Sequence, residues 1–97
     1  LMGTSLENAI LTRANLVKAT VKNANVRGAD LSGVNLLGAH LEAAALPSAD
    51  MTRTNLLWTD LTDADLDQTR LADAVYNSHT RWPDGFDPQA YEMVRIE

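Results

Sequence analysis

The most constraining feature of this chain is an apolar residue that returns at every fifth position. In residues 24–44, which read ANVRGADLSGVNLLGAHLEAA, the repeating residues are Val26, Leu31, Leu36 and Leu41. The period runs without a break from position 1 to position 76, and every position in this central column is apolar or aromatic. A second column, two residues before each central residue, holds only Ala, Thr and Val. The fold must therefore place two positions in every five against one core.

Neither a regular helix nor a flat strand buries this pattern. In an α-helix, at about 100° per residue, successive central residues would be rotated by about 140° and would scatter around the surface. In a flat strand, an odd spacing would put them on opposite faces. A chain that turns a right angle every five residues does bury both columns, because four segments close a square coil of about twenty residues. We therefore expect an all-β solenoid of about four coils that hydrogen-bond to one another.

The repeated unit also resembles a known sequence signature. Units such as ANLVK, ADLSG, VNLLG, ADMTR and ADLDQ follow the pattern A-(D/N)-L-x-x, which is similar to the repeat of the pentapeptide repeat proteins. The resemblance covers residues 1–76 and implies a right-handed quadrilateral β-helix. It says almost nothing about activity, because the signature residues are those that build the coil.

The chain changes character after Tyr76, where the five-residue repeat stops. We therefore predict a repeat domain at residues 1–76 and a C-terminal capping segment at residues 77–97. The last coil of a solenoid exposes its apolar core and an unpaired strand edge, so a cap protects it from aggregation. Four residues of the segment are predicted to form the cap: Trp82, Pro83, Phe86 and Tyr91.

The capping segment contains two local signals. The tetrapeptide WPDG predicts a type I turn with Pro83 at its second position. The pair Asp87-Pro88 predicts the N-cap and first residue of one short helix, whose apolar side would extend to Val94. Endings similar to RWPDGFDP occur in bacterial members of the family, so the resemblance implies the same cap. The alternative interpretation of these aromatic residues is a ligand-binding cluster.

One column of outward residues is apolar. If four repeats make a coil, Val17, Leu37 and Leu57 stack above one another, and Trp58 extends the column sideways. Contiguous exposed apolar surface often marks an interaction site, so these four residues are the predicted protein interface. The alternatives are that they are ordinary surface or are covered by the C-terminal segment. A protein partner or self-association is expected through this face or through the N-terminal end, where no cap is predicted.

Charge and composition argue against several functions. The chain has a net charge of −5 and no Cys, so we expect no direct nucleic-acid binding, no disulfide and no thiolate zinc site. It has no run of about 18 apolar residues, which predicts no membrane span. With no visible targeting signal, we expect a cytoplasmic location. Residues 1–40 hold four basic and two acidic residues, whereas residues 41–80 hold two basic and seven acidic ones. The solenoid is therefore an axial dipole, positive towards its N-terminal end.

The sequence offers no constellation of residues for catalysis. A filled solenoid lacks a concave site with converging groups. His40 is predicted to lie between Thr20 and Asp60 in one outward column, but no nucleophile other than Thr accompanies it. His79 has no partner at a metal-ligand spacing. We therefore expect no enzyme activity, no cofactor and no metal site.

Two functional interpretations follow. The first is a non-catalytic structural or protein-interaction module that uses the apolar face. The second is a DNA-mimicking regulator of a type II topoisomerase such as gyrase, because some members of the family are acidic rods of duplex-like width that engage this enzyme. The chain is short for that role, and its first forty residues are net positive.

Overall fold

Parallel backbone bridges between residues twenty positions apart build the fold. The computed structural model describes residues 2–96, so the predicted central residue Leu1 lies outside the described residues. Four ladders of bridges run side by side, and one of them joins Ser5, Asn25, Ala45 and Asp65 in turn. A step of twenty residues corresponds to four repeats per turn. The prediction of a β-solenoid is confirmed.

Regular strands are short because every repeat turns a corner. In the described residues, most repeats contribute a single bridged residue to a ladder. The named elements are strand β1, Val75–Tyr76, a 3₁₀ helix, Pro88–Tyr91, and strand β2, Val94–Arg95. β1 and β2 pair in parallel, with Val75 opposite Val94. The C-terminal segment therefore adds one more strand to the last coil.

Each repeat in the middle of the solenoid makes three backbone hydrogen bonds to neighbouring coils. The N–H of Leu31 donates to the carbonyl of Asp50 at 2.7 Å, and the N–H of Gly33 donates to Thr52 at 2.9 Å. The N–H of Asp50 donates in the other direction, to the carbonyl of Ala29 at 2.9 Å. Because these bonds run along the solenoid axis, each coil satisfies the backbone polar groups of the next.

The central column and the small-residue column fill the solenoid. Leu36, Leu46 and Leu56 are fully buried, and Ala39 and Ala49 are buried beside them. Where Thr replaces Ala, its hydroxyl needs a partner because an unpaired buried polar group costs about 1–3 kcal/mol. Thr59 Oγ1 donates to the carbonyl of Leu36 at 2.7 Å, and Thr69 and Thr80 donate to Leu46 and Leu56 in the same way.

Every corner contains a residue in the left-handed region. In the repeat at Leu6, the N–H of Ala9 donates to the Leu6 carbonyl at 3.0 Å, and Asn8 between them has a φ of 59°. A positive φ at the third turn residue is the signature of a type II turn. Glycine takes this position at four corners, and the others hold residues with side chains: Asn8, Arg13, Lys18, Asn23, Ala43, Ser48, Arg53, Trp58, Asp63, Gln68 and Asp73.

The register changes by one residue after Tyr76. Asp60 bridges to Arg81 rather than to the residue twenty positions on. Asn77 is the extra residue, and it is 9% exposed although the sequence pattern predicts an outward position. Thr80 follows in the small-residue column, where its hydroxyl donates to the Leu56 carbonyl at 2.7 Å. The ladder therefore extends beyond Tyr76, where the sequence pattern ends the repeat.

The C-terminal segment differs from the predicted turn and helix. The N–H of Phe86 donates to the carbonyl of Pro83 at 3.1 Å, so Pro83 is the first residue of the turn and not the second. Gly85 is its third residue, with a φ of 80° that makes the turn type II rather than type I. Asp87 is the N-cap of the 3₁₀ helix, but the helix ends at Tyr91. Val94, predicted on the helix, belongs to β2 because it pairs with the last coil.

Candidate interaction surface

Trp58 is the most prominent apolar side chain of the predicted interface. It occupies a corner with a φ of 61°, and 57% of the residue is exposed. A bulky residue rarely adopts a positive φ, because its Cβ crowds the backbone. It is the one aromatic residue among the positive-φ residues of the described chain. The position therefore combines an unfavourable backbone with an unshielded indole ring.

The aliphatic residues of the same face are half-buried and not exposed as the sequence pattern predicts. Val17, Leu37 and Leu57 all belong to this intermediate class. Each follows a central residue directly, and the N–H of Leu37 donates to Oδ1 of Asn35 at 3.1 Å. Because the three side chains stack one above another, each shields part of its neighbour. They form the floor of the face, from which Trp58 projects.

An open groove lies beside the indole ring. Its lining comprises Lys18, Leu37, Gly38, His40 and Trp58, and its volume is about 500 Å³. Lys18 and Trp58 occupy the corners above and below Gly38. A Cβ at Gly38 would stand 3.3 Å from Cγ of Lys18, so the missing side chain creates the notch between them.

His79 covers the other side of Trp58. The two rings are stacked, with centroids 3.8 Å apart. A second hollow on this side is lined by polar residues that include Asp60, Ser78 and Arg81. Sequence reasoning did not find the stacking, because the register change at Asn77 is not visible in a five-residue pattern.

His40 contacts a different carboxylate from the one that its column suggested. Its backbone bridges to Asp60, but its Nδ1 lies 3.4 Å from Oε2 of Glu42. Lys22 Nζ lies 3.4 Å from the same oxygen. Glu42 is thus shared between Lys22 and His40. Within residues 2–96, no group of three or more His, Cys, Asp or Glu side chains is arranged to hold a metal ion.

Asp60 has a lowered pKa. Burial raises the pKa of its carboxyl group, but hydrogen bonds from the hydroxyl and N–H of Thr62 outweigh this effect, and the charges of Arg81 and His40 add to them. The carboxylate accepts both bonds from Thr62 at its Oδ1. It is therefore fixed as an acceptor, which suits a structural role better than proton transfer.

The predicted cap residues form a chain of aromatic contacts. Tyr76 meets Trp82 edge to face at 5.7 Å between ring centroids. Trp82 stacks on Phe86 at 4.8 Å, and Phe86 stacks on Tyr91 at 4.6 Å. Tyr76 is buried, whereas Trp82 and Phe86 are half-buried against the core. This arrangement leads from the last central residue to the 3₁₀ helix.

No helix in residues 2–96 is long and apolar enough to cross a membrane.

Comparisons with known proteins agree with this architecture. The family model for pentapeptide repeats matches residues 1–28, 24–59 and 39–75, with eight copies. No curated protein matches the chain significantly. Three solved structures of pentapeptide repeat proteins are similar to it.

The first is from Nostoc PCC 7120, with 26% identity and a TM-score of 0.55, over 95% of this chain and 84% of that one. The second is from the Arabidopsis thaliana thylakoid lumen, with 25% identity and a TM-score of 0.76, over 78% of this chain and 55% of that one. The third is from the cyanobacterium Cyanothece 51142, with 36% identity and a TM-score of 0.61, over 84% of this chain and 52% of that one. The chain thus spans about half the length of the last two structures. The repeats, the ladders and these matches together show that the chain belongs to the pentapeptide repeat family.

Proposed function

We propose that this chain is a non-catalytic interaction module, a right-handed quadrilateral β-helix of about four coils. Residues 77–97 cap its C-terminal end through Trp82, Pro83, Phe86 and Tyr91. Its contact surface is the Trp58 face, which comprises Val17, Lys18, Leu37, Gly38, Leu57 and Trp58. The observation that carries the proposal is the 57% exposure of Trp58 at a strained corner, because a large exposed apolar side chain is costly unless a partner covers it.

The partner that fits this face best is a second copy of the chain in antiparallel orientation. The first forty residues are net positive and the next forty are strongly net negative. Two copies side by side and antiparallel place opposite charges next to each other, whereas a parallel pair would place like charges together. A two-fold axis at the level of Gly38 gives this orientation and a self-complementary interface.

The residues of the face are complementary to each other under that axis. Lys18 of one copy would lie opposite Trp58 of the second copy, and this pairing would occur twice. A lysine ammonium over an indole is favourable by about 0.5–1 kcal/mol at exposed sites. Val17 would lie opposite Leu57, and Gly38 opposite Gly38, which permits the backbones to approach closely.

The size of the molecule sets the expected strength of this association. It measures 32 × 25 × 24 Å, so a whole side covers roughly the 800 Å² that each partner buries in a standard interface. The Trp58 face is only part of one side. We therefore expect a weak dimer, with a dissociation constant in about the micromolar to millimolar range.

Sedimentation equilibrium across that concentration range tests the proposal. The wild-type chain should approach twice the monomer mass, and Trp58→Glu with Leu37→Glu should stay monomeric with an unchanged circular dichroism spectrum. Ile10→Glu is the matched control, because Ile10 is 78% exposed but belongs to another face. A wild-type chain that stays monomeric, or an Ile10→Glu variant that loses the dimer equally, would show that the Trp58 face is not a self-interface.

A further inference from the structure

A second surface feature lies at a different corner of the solenoid and is built around two arginines. Arg13, Gly33 and Arg53 follow one another in a single column of left-handed corners, twenty residues apart. Together with Thr12 and Ser32, they line a cleft of about 450 Å³. The cleft is separate from the Trp58 face, because none of its residues belongs to that face.

Gly33 makes room for the cleft. It has a φ of 70°, and a Cβ at this position would stand 3.0 Å from Cγ of Arg13. The aliphatic part of the Arg13 side chain therefore lies against the glycine, and any other side chain here would displace it. Arg13 and Arg53 are two coils apart, which corresponds to about 10 Å along the axis at the usual strand spacing.

Both guanidinium groups are available to a ligand. Within residues 2–96, the ion pairs join Lys22 and His40 to Glu42. Neither Arg13 nor Arg53 takes part in an ion pair in this part of the chain. Two carboxylates of the neighbouring column, directly before the central residues Leu31 and Met51, are already engaged. Asp30 accepts hydrogen bonds from the hydroxyl and N–H of Ser32, and Asp50 accepts the same pair of bonds from Thr52.

Asp73 is the acidic residue of the same column, because it occupies the next corner after Arg53. No ion pair joins the two side chains in the described part of the chain. Asp73 lies on the side of Arg53 away from Gly33, so it does not enter the cleft. It lowers the net positive charge of the column from two to one.

We propose that the Arg13–Gly33–Arg53 cleft binds the dianionic phosphate of a phosphate monoester. Guanidinium forks bind phosphate oxygens in pairs with charge-assisted hydrogen bonds, which are about twice as strong as neutral ones. Two arginines on opposite sides of a glycine contact a tetrahedral dianion from both sides. A carboxylate has one charge and two oxygens, so it cannot make both sets of contacts. The preference is for phosphate over carboxylate.

The phosphate can come from a small molecule or from a phosphorylated side chain of another protein, and the shared group is the monoester dianion. NMR titration of the ¹⁵N-labelled chain distinguishes these sources. The probes are inorganic phosphate, phosphoserine and a short phosphoserine peptide, at constant ionic strength and about pH 7.5, where the dianion predominates. A peptide that binds at least about tenfold more tightly than phosphoserine identifies a protein source, and equal affinities identify a small molecule.

Saturating shifts of the Gly33 amide and of the Arg13 and Arg53 Nε–H signals are the expected result. Arg13→Gln and Arg53→Gln should each weaken phosphate binding by at least about tenfold, because each removes charge-assisted bonds. Arg27→Gln makes the same change in net charge at an exposed position outside both the cleft and the Trp58 face, and it should leave the affinity within about twofold. Shifts that do not saturate, or an Arg27→Gln effect as large as the effects of Arg13→Gln and Arg53→Gln, would show only general charge screening and overturn the proposal.

Two further measurements test the geometry. Gly33→Asn should abolish binding while the melting temperature stays high, because Asn tolerates a positive φ but its side chain fills the cleft. Normal phosphate binding by a folded Gly33→Asn variant would place the ligand elsewhere. Acetate should not saturate in the same concentration range, and acetate binding as tight as that of phosphate would contradict the preference for a dianion.

Discussion

The side-chain oxygen of Asn77 and the backbone of Trp58 are joined by a hydrogen bond, in which the Trp58 N–H donates to Asn77 Oδ1 at 3.3 Å. The same oxygen accepts the N–H of His79 at 3.0 Å. At other corners this N–H donates to a backbone carbonyl of the next coil, as Lys18 does to Leu37 at 2.8 Å. The inserted residue thus replaces a main-chain acceptor with its side chain, and it brings His79 over the indole ring of Trp58.

Asn77→Ala should lower the free energy of unfolding by about 1–3 kcal/mol, because it removes the acceptor of two backbone donors in a buried position. Asn77→Asp keeps an oxygen at the same place and should retain most of the stability at neutral pH. Urea unfolding followed by circular dichroism measures both variants. Equal losses for Ala and Asp would contradict the role of the shared acceptor.

His79→Ala should make the Trp58 ring more accessible to solvent. The rings of Trp58 and His79 lie 3.8 Å apart with planes 3° from parallel, and stacking of this kind contributes about 0.5–1.5 kcal/mol in well-packed sites. At this exposed corner we expect the low end, a melting temperature lower by a few degrees. Acrylamide quenching of tryptophan fluorescence should increase, and Ser78→Ala is the control, since Ser78 lies beside the stack without taking part in it. Unchanged quenching in His79→Ala would show that the stack does not shield the indole.

The antiparallel dimer makes a stringent prediction about Lys18 and Trp58. Trp58→Lys places two lysines opposite each other in each contact and should abolish the dimer in sedimentation equilibrium. Combining it with Lys18→Trp exchanges the two residues and restores one lysine opposite one tryptophan under the two-fold axis. The double variant should therefore regain most of the wild-type association. Failure to regain it, with the fold intact, would exclude the antiparallel register even if the chain dimerises by another arrangement.

The repetitive part of the fold could be predicted from the sequence, because its central residues have one solution. Leu36 and Leu46 can share one core only if the chain turns between them, and both are fully buried. The half-burial of Leu37 could not be predicted, since it depends on neighbours twenty residues away. The register change at Asn77 could not be predicted either. The five-residue repeat ends at Tyr76, so a single residue inserted after it does not interrupt the pattern.

The residue directly before each central residue is often Asn or Asp, and its function is suggested only in part by the sequence. Asn15, Asn35 and Asn55 lie in one ladder, where a hydrogen-bonded stack of amides is the simplest expectation. Each Oδ1 instead accepts the backbone N–H two residues further on, at 3.0–3.1 Å. Such Asx turns are a local preference of Asn and Asp, so this signal was present in the sequence. The repeat at Leu46 lacks both groups of this turn, because Pro47 has no N–H to donate and Ala45 has no side-chain acceptor.

The left-handed corners predict which glycine substitutions stabilise the solenoid. Ala43 is exposed and has a φ of 59°, a conformation that costs a residue with a side chain about 1–2 kcal/mol. Ala43→Gly removes this cost but adds about 0.5–1 kcal/mol of chain entropy, so we expect a gain of roughly 0.5 kcal/mol. Ala72→Gly is the matched control at the preceding turn position, without a positive φ, and should destabilise. Urea midpoints that fall for both variants would show that the corners are not strained.

The lowered pKa of Asp60 predicts a pH dependence for the effect of Thr62. Burial raises this pKa, but the hydrogen bonds from Thr62 and the charges of Arg81 and His40 lower it by more, so the net shift is downward. A carboxyl group whose pKa is lower in the folded than in the unfolded chain stabilises the fold above the unfolded value of about 3.9. That contribution is lost as the pH falls through the folded pKa.

Thr62→Ala should therefore raise the pKa of Asp60, measured by NMR titration of its side-chain carboxyl carbon. The stability deficit of the variant should be largest near neutral pH and should shrink as the pH falls below about 4. Thr12→Ala is the control, because Thr12 follows Ile10 in its repeat and has no carboxylate to bind. A deficit of constant size across this range would mean that Thr62 stabilises the corner by packing, independently of the charge on Asp60.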